Sequence, residues 1–392
     1  MKQKPELLAP AGDFPSLMAA INAGADAVYL GVQEFNLRAR AKNFLLKDLP
    51  KISKICKQRN VKLYLTLNTI VYDGELKKID KIIKKLGGRV NAIICSDISV
   101  MLLCKKYGIP FHISTQVSVS NSKTAEFYKK LGAQRIILAR ELNLKQIKKI
   151  SKIIPVEIFI HGAMCVSISG RCFTSQFLFN ESANRGKCIH PCRRSYIVRD
   201  REGNELKVNN HHIFSAKDLC ALPFIERLKK AGITAFKIEG RNREPEYVDT
   251  VVRVYRKALD NKLTKKQIQQ GIQELKKAYN KGFSSGFLLK IPTSDSFSDA
   301  EHSKATQSKK FIGKITHYYS KLGVASLRLN AGKLKIGDEI YIIGKTTGLI
   351  RSKISSMEIK NKKIQEVRKG QDVAIKLPLC RKGDDVYLVI RK

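Results

Sequence analysis

Four of the chain's nine cysteines, Cys165, Cys172, Cys188 and Cys192, fall within 28 consecutive residues, separated by six, fifteen and three residues. One segment offering four thiolates can hold a tetrahedral zinc ion or an iron–sulfur cluster. Structural zinc usually draws its sulfurs from two tight C-x2-C knuckles, and neither pair here has that spacing. A cluster tolerates wider and irregular gaps, so iron–sulfur is the favoured expectation, ahead of zinc and of unliganded thiols. His161 and His190 flank the cysteines. His190 reads as a loop residue, whereas His161 ends an apolar run and is expected to face the reaction space. Cys56, Cys95, Cys104, Cys220 and Cys380 are scattered among apolar residues and read as small core or boundary positions.

Other chemistries find no foothold. There is no H-E-x-x-H helix, Walker A loop or dinucleotide glycine fingerprint. A literal G-x-S-x-G occurs at Gly282 to Gly286, but a lysine-rich helix precedes it where a nucleophile elbow requires a strand.

The elements that must position the cysteines alternate short β-rich runs with amphipathic helical patterns. Eight strands are predicted, at 6–12, 27–31, 61–68, 92–97, 111–115, 135–141, 156–162 and 235–240. Between them, stretches such as ELKKIDKIIKKLGG repeat apolar residues at helical spacing with lysines on the other face. Eight such units form a (β/α)8 TIM-like barrel, an α/β fold whose active site lies at the carboxyl ends of the strands. Those ends carry Asn68, Arg140, Glu141, His161, Glu239 and Arg241, with Arg38 following the second strand. The cysteine stretch, 161–196, starts where strand seven stops, so it is expected as an insertion over the barrel mouth. Residues 1–300 are assigned to the barrel and 301–310 to a linker. Residues 311–392 change to a two-residue period, which reads as a small basic β-barrel with RNA-binding character.

Composition narrows the partners. The 392 residues carry 74 Lys and Arg against 34 Asp and Glu, a formal net charge of +40, and such a field attracts polyanions. Residues 301–392 alone hold 21 basic and 8 acidic side chains. A chain of this length needs no disulfide staples, and its opening lacks the apolar core of a signal peptide. No apolar run approaches the roughly 18 to 20 residues that span a bilayer. A cytoplasmic protein without a membrane anchor is expected, with no obligate protein partner evident.

At LLAPAGDFPSLMAAINAGADAVYLG, NLRARAKNF, HGAMCVSISGRC, NRGKCIHPCRRSY and FKIEGRNREPEYV, the sequence resembles the family of collagenase-like peptidases of unassigned catalytic type. Members of that family are understood as oxygen-independent hydroxylases carrying a 4Fe-4S cluster. One branch acts on the wobble uridine of tRNA, one on a cytidine of ribosomal RNA and one on ubiquinone precursors. The tail from Phe311 is similar to the second domain of elongation factor Tu, which matches the tRNA branch. That resemblance implies a tRNA hydroxylase that uses prephenate to make 5-hydroxyuridine, with Cys165, Cys172, Cys188 and Cys192 as cluster ligands. Peptidase activity, as the older family name states, and ribosomal RNA hydroxylation remain the alternatives; the electron donor is unknown. For prephenate's two carboxylates, the planar forks of Arg38, Arg140 and Arg241 are the expected holders. His161, Glu141 and Glu239 are the candidate proton carriers, and Asn68 is a hydrogen-bonding partner for substrate.

Overall fold

The computed structural model describes residues 4–37, 39, 42–208, 214–240, 242–300 and 302–392. Seven strands follow one another around a parallel sheet: β1 (Glu6–Pro10), β2 (Ala27–Gly31), β3 (Lys62–Leu67), β4 (Ala92–Cys95), β5 (Phe111–Ile113), β6 (Arg135–Ile137) and β7 (Val156–Gly162). The chain then forms a hairpin, β8 (Tyr196–Arg199) and β9 (Glu205–Val208), and a short strand β10 (Asp218–Cys220). Next comes β11 (Ala235–Ile238), which pairs in parallel with both β1 and β7 and closes the barrel. The expected (β/α)8 architecture is therefore present. Several strands stop earlier than their apolar runs suggest, so Arg140 and Glu141 lie three and four residues past the end of β6. Two strands went unforeseen: β10 lies antiparallel to β7, and β12 (Phe283–Ser284) extends β10 within the G-x-S-x-G stretch.

The helices begin where local chemistry predicts. Asp13 caps α1 (Phe14–Asn22) by accepting from Ser16 N at 2.9 Å. Then come α2 (Leu49–Gln58), α3 (Leu76–Leu86), α4 (Ile98–Lys106), α5 (Ser122–Leu131) and α6 (Leu144–Ile150). Asp97, Asn121 and Asn143 cap the last three in the same way, satisfying N–H groups that the first helical turn leaves without partners. After α7 (Thr174–Phe179) and α8 (Ile225–Lys229), α9 (Pro245–Asp260) and α10 (Lys265–Lys277) complete the outer layer. Strand residues such as Leu7, Leu30, Leu65, Ile93 and Phe236 pack outward against the helices to form the main core. Their alternates, including Leu8, Tyr29, Tyr64, Ile94 and Ile137, point into the barrel.

The C-terminal region is an antiparallel sheet with its own core. It comprises β13 (Gln307–Tyr319), β14 (Val324–Leu329), β15 (Lys333–Lys335), β16 (Glu339–Gly344), β17 (Gly348–Lys353), β18 (Met357–Ile359), β19 (Lys362–Lys363), β20 (Glu366–Arg368), β21 (Asp372–Lys376) and β22 (Asp385–Arg391). Eight of these run in the order β17-β16-β22-β13-β14-β21-β18-β19, with β15 and β20 as a separate ribbon. Because β13 opens at Gln307, the last four residues of the expected linker 301–310 belong to the sheet. The sheet docks on α1 and α9, where Ala19 meets Tyr341, Ile343 and Leu349. Gly348 makes this approach possible: its φ is +74°, and a Cβ there would lie 2.9 Å from Ala19 N. Arg351 clamps the joint through buried Asp249, at 3.1 Å from Nε and 3.0 Å from Nη2.

Candidate active site

The carboxyl ends of the barrel strands and the cysteine-bearing segment enclose one cavity of about 660 Å³. Tyr29, Phe159 and Lys237 supply side chains from the strands, and all four clustered cysteines contribute to its lining. Gly186, with φ at +86°, lets the segment settle on the loop after β2, since a Cβ there would strike the Asn36 carbonyl oxygen. The insertion expected from sequence thus does lie against the barrel mouth.

Beneath the cavity the barrel interior is ionic. Glu6 lies 2.7 Å from Arg135, Arg135 lies 3.2 Å from Glu157, and Glu157 lies 2.8 Å from Lys237, while the exposed Lys62 Nζ reaches Glu6 from outside at 2.9 Å. Burial pushes the Glu6 carboxyl up, but its bonds with Arg135 and Lys62 hold it below the usual carboxylate range. Tyr64 also donates to Glu6 at 3.0 Å. His112 packs on Tyr64, and burial first, then the Arg135 charge, holds its imidazole neutral, well below the ordinary histidine pKa. At the cavity end, the Lys237 ammonium sits 4.3 Å from the Tyr29 ring centroid and 5.6 Å from that of Phe159. Buried ions survive only when paired in this way.

Three of the candidate residues outside the cysteine cluster meet in the cavity wall. Asn68, at the end of β3, accepts from Leu37 N at 3.2 Å and donates to Ser114 Oγ at 3.2 Å and Gln116 Oε1 at 3.3 Å. It therefore ties the loop after β2 to the end of β5. Arg140 lays its guanidinium 4.7 Å from the Phe159 centroid and donates from Nη1 to the Ala163 carbonyl at 2.8 Å. Glu239 lines the cavity just past β11, its backbone held by the Tyr247 hydroxyl at 3.0 Å and the His161 carbonyl at 2.9 Å.

His161 and Glu141 are placed elsewhere. Opposite His161 the register of β11 shifts between Lys237 and Ile238, and β10 pairs antiparallel at the same position. The imidazole packs among Tyr247, Tyr255 and Phe283, with Nδ1 3.3 Å from the Tyr255 hydroxyl, and does not line the cavity. Burial, and secondarily the Arg243 charge, lowers its pKa to about 3, so it is a neutral ring at ordinary pH. Glu141 is exposed and also outside the lining. Arg38 and Arg241 lie outside the described residues. The sequence reading missed Lys237, Arg193 and Gln116. Lys237 carried a signal, because a lysine inside the apolar run AFKIEG shares its face with Glu239 at two-residue spacing.

Hydrogen-bonding groups reach two of the four cysteines. Cys172 is 3.3 Å from the Thr174 hydroxyl, and although burial opposes ionisation, hydrogen bonds from Thr174 and Ser167 hold the thiol below its usual range. Cys188 Sγ receives the His190 N–H at 3.4 Å and the Ser175 hydroxyl at 3.8 Å. Burial pushes Cys192 up to about 11, with Arg193 opposing and Cys165, Cys188 and Cys172 adding to the rise. Four soft donors around one cavity, with N–H and O–H groups aimed at two of the sulfurs, fit a thiolate-held metal group in their chemistry. Among the described residues, no three His, Cys, Asp or Glu side chains close into a metal-holding arrangement. The other five cysteines are buried.

Comparison with known proteins places this geometry in context. The model of peptidase family U32 matches residues 12–298. A collagenase of Porphyromonas gingivalis is 39% identical over 403 residues, covering 97% of both chains. The tRNA hydroxylation protein P1 of Bacillus subtilis is 34% identical over 356 residues, 87% of this chain and 84% of that protein. A 23S rRNA 5-hydroxycytidine synthase of Escherichia coli is 38% identical over 258 residues, 65% of this chain but 39% of its own length. Among the described residues, no helix is long and apolar enough to cross a membrane.

Proposed function

The chain belongs to peptidase family U32, and from that premise we propose that it hydroxylates RNA, converting a tRNA wobble uridine to 5-hydroxyuridine in a prephenate-dependent reaction. The observation that carries this reading is the convergence of four thiols, Asn68, Arg140, Glu239 and Lys237 on one cavity in a chain of net charge +40. Named relatives that hydroxylate tRNA and rRNA support the reaction class. Similarity along most of the tRNA protein, against a minor part of the rRNA enzyme, favours tRNA as the substrate.

In this reading Cys165, Cys172, Cys188 and Cys192 hold a 4Fe-4S cluster, which when bound supplies electron transfer beside the cavity. The chain's own residues do the remaining work. Arg140 and Lys237 offer cations to the carboxylates of prephenate in a partly dry pocket, where such pairing is strongest. Asn68 orients the base edge, and Glu239 stands where a proton must be taken up or released. Arg38 and Arg241, outside the described residues, are proposed from the sequence as further carboxylate partners. The partly unstacked bases of an anticodon loop enter such a cavity at low cost.

The test is turnover of unmodified tRNA by anaerobically prepared protein with and without prephenate, read by nucleoside mass spectrometry. Hydroxyuridine that depends on prephenate supports the proposal. Product in ribosomal RNA alone, or cleavage of a collagen peptide with both RNAs untouched, would replace it with one of the alternatives suggested by the relatives' names.

A further inference from the structure

Large apolar side chains on the cysteine-bearing segment face solvent. Phe173, Phe177 and Leu178 are 62%, 83% and 53% exposed, and Ile197 and Val198 on β8 are 61% and 53% exposed. The short helix α7 turns Ser175 inward, toward Cys188 Sγ and Ile189 N, and leaves its phenyl rings outside. The Phe173 and Phe177 ring centroids are 6.0 Å apart, and the Arg194 guanidinium covers the Phe179 ring at 4.7 Å. Leu178, Ile197 and Val198 also line the cavity, so apolar surface continues from α7 into the site. Contiguous exposed apolar surface of this kind marks a place of interaction.

Charge selects the occupant. Residues 161–196 carry five Lys or Arg and one Glu. A ligand that is anionic along its length yet presents flat apolar faces matches phenyl rings set among guanidinium groups, and unpaired nucleotides have that character. We infer that Phe173, Phe177 and Phe179, with Arg194, form a stacking platform for unpaired RNA bases flanking the nucleotide that enters the cavity. The inference rests on the RNA reading above and gives it a division of labour. The basic C-terminal sheet attracts phosphates of a folded RNA, whereas α7 selects single-stranded bases and offsets the stacking lost when the target base is drawn out.

The experiment compares binding of an unmodified anticodon stem–loop RNA and a blunt duplex of equal length, each over a range of salt concentrations. It uses the full chain and two double variants, Phe173→Ala with Phe177→Ala and Phe173→Leu with Phe177→Leu. Both positions are exposed, so the fold should tolerate them; thermal melts verify this. Each base that loses its aromatic partner should weaken stem–loop binding by roughly 5- to 150-fold, with duplex affinity and salt slope unchanged. The leucine variant should be as impaired as the alanine one, because apolar area remains and only the flat faces are gone. Full affinity in either variant overturns the platform and leaves the RNA reading standing. A parent chain that binds neither RNA ends both. A dimer that Phe177→Ala dissociates would assign the patch to a second copy of the chain and also overturn the inference.

Discussion

Lys237 Nζ lies 2.8 Å from Glu157 Oε1 inside the barrel, with their side chains 6% and 0% exposed. Glu157 also faces Arg135, so one carboxylate holds two buried cations between the barrel floor and the cavity. TIM-barrel interiors are ordinarily filled by branched aliphatic side chains. An ionic column in that place carries a desolvation cost, and its visible return is a fixed ammonium at the cavity's edge.

Glu157→Gln should therefore destabilise the fold by about 3–5 kcal/mol, since it leaves two desolvated cations short of a partner. Adding Lys237→Met should recover part of that loss. Urea denaturation of the single and double variants measures both, and an additive result would show that the two side chains do not act as a pair.

Stability should fall on acidification below pH about 6.5. His161 and His112 are both buried neutral, with folded pKa values below the ordinary histidine value. The unfolded chain then binds protons that the folded chain refuses, so the stabilisation is complete above the unfolded pKa and is lost as pH falls toward the folded one. Each histidine should contribute a slope of up to about 1.4 kcal/mol per pH unit. For His161 that loss continues toward pH about 3. Replacing it with Gln should remove about half of the slope in denaturation midpoints collected between pH about 6.5 and about 5, above the range in which carboxylates titrate.

The barrel was legible because its β-rich runs alternate with helical apolar spacing, as in ELKKIDKIIKKLGG, which forms α3. The gathering of Cys165, Cys172, Cys188 and Cys192 around one cavity was legible because their spacing is local in sequence. His161 was misplaced in expectation, as facing the reaction space, because strand alternation carries no information about the register shift in β11 or the pairing with β10. A lysine inside AFKIEG was visible, but its pairing was not, since Glu157 is 80 residues away and ion pairing across a closed barrel leaves no short-range pattern. The linker expectation failed at Gln307 because hydrogen bonding to β22, at the far end of the chain, extends β13 through residues that read as polar spacer.

Arg140→Lys should keep charge at the cavity wall and lose the planar stacking on Phe159 and the bond to the Ala163 carbonyl. At limiting prephenate, turnover should drop at least about tenfold, equivalent to about 1.4 kcal/mol. Iron content and tRNA affinity should stay unchanged. Near-normal turnover would place the carboxylate-holding groups elsewhere.

Lys362 and Lys363 form β19 at the edge of the eight-stranded sheet, and Lys360 lies in the turn before it; all three are exposed. Changing them together to Ser should weaken tRNA binding and flatten its log-log salt dependence by roughly 0.7–0.9 for each phosphate that is no longer neutralised. An unaltered slope would show that this edge of the sheet does not meet RNA.

The most direct measurement is the 5-hydroxyuridine content of tRNA from cells whose only copy of this chain is the parent form or the Cys188→Ala variant. The barrel core does not include Cys188, so the variant should accumulate as folded protein. The account predicts hydroxylated tRNA with the parent chain and none with the variant, while tRNA binding is retained. Equal hydroxylation in both, or its absence in both, would contradict a thiol-held centre acting on RNA.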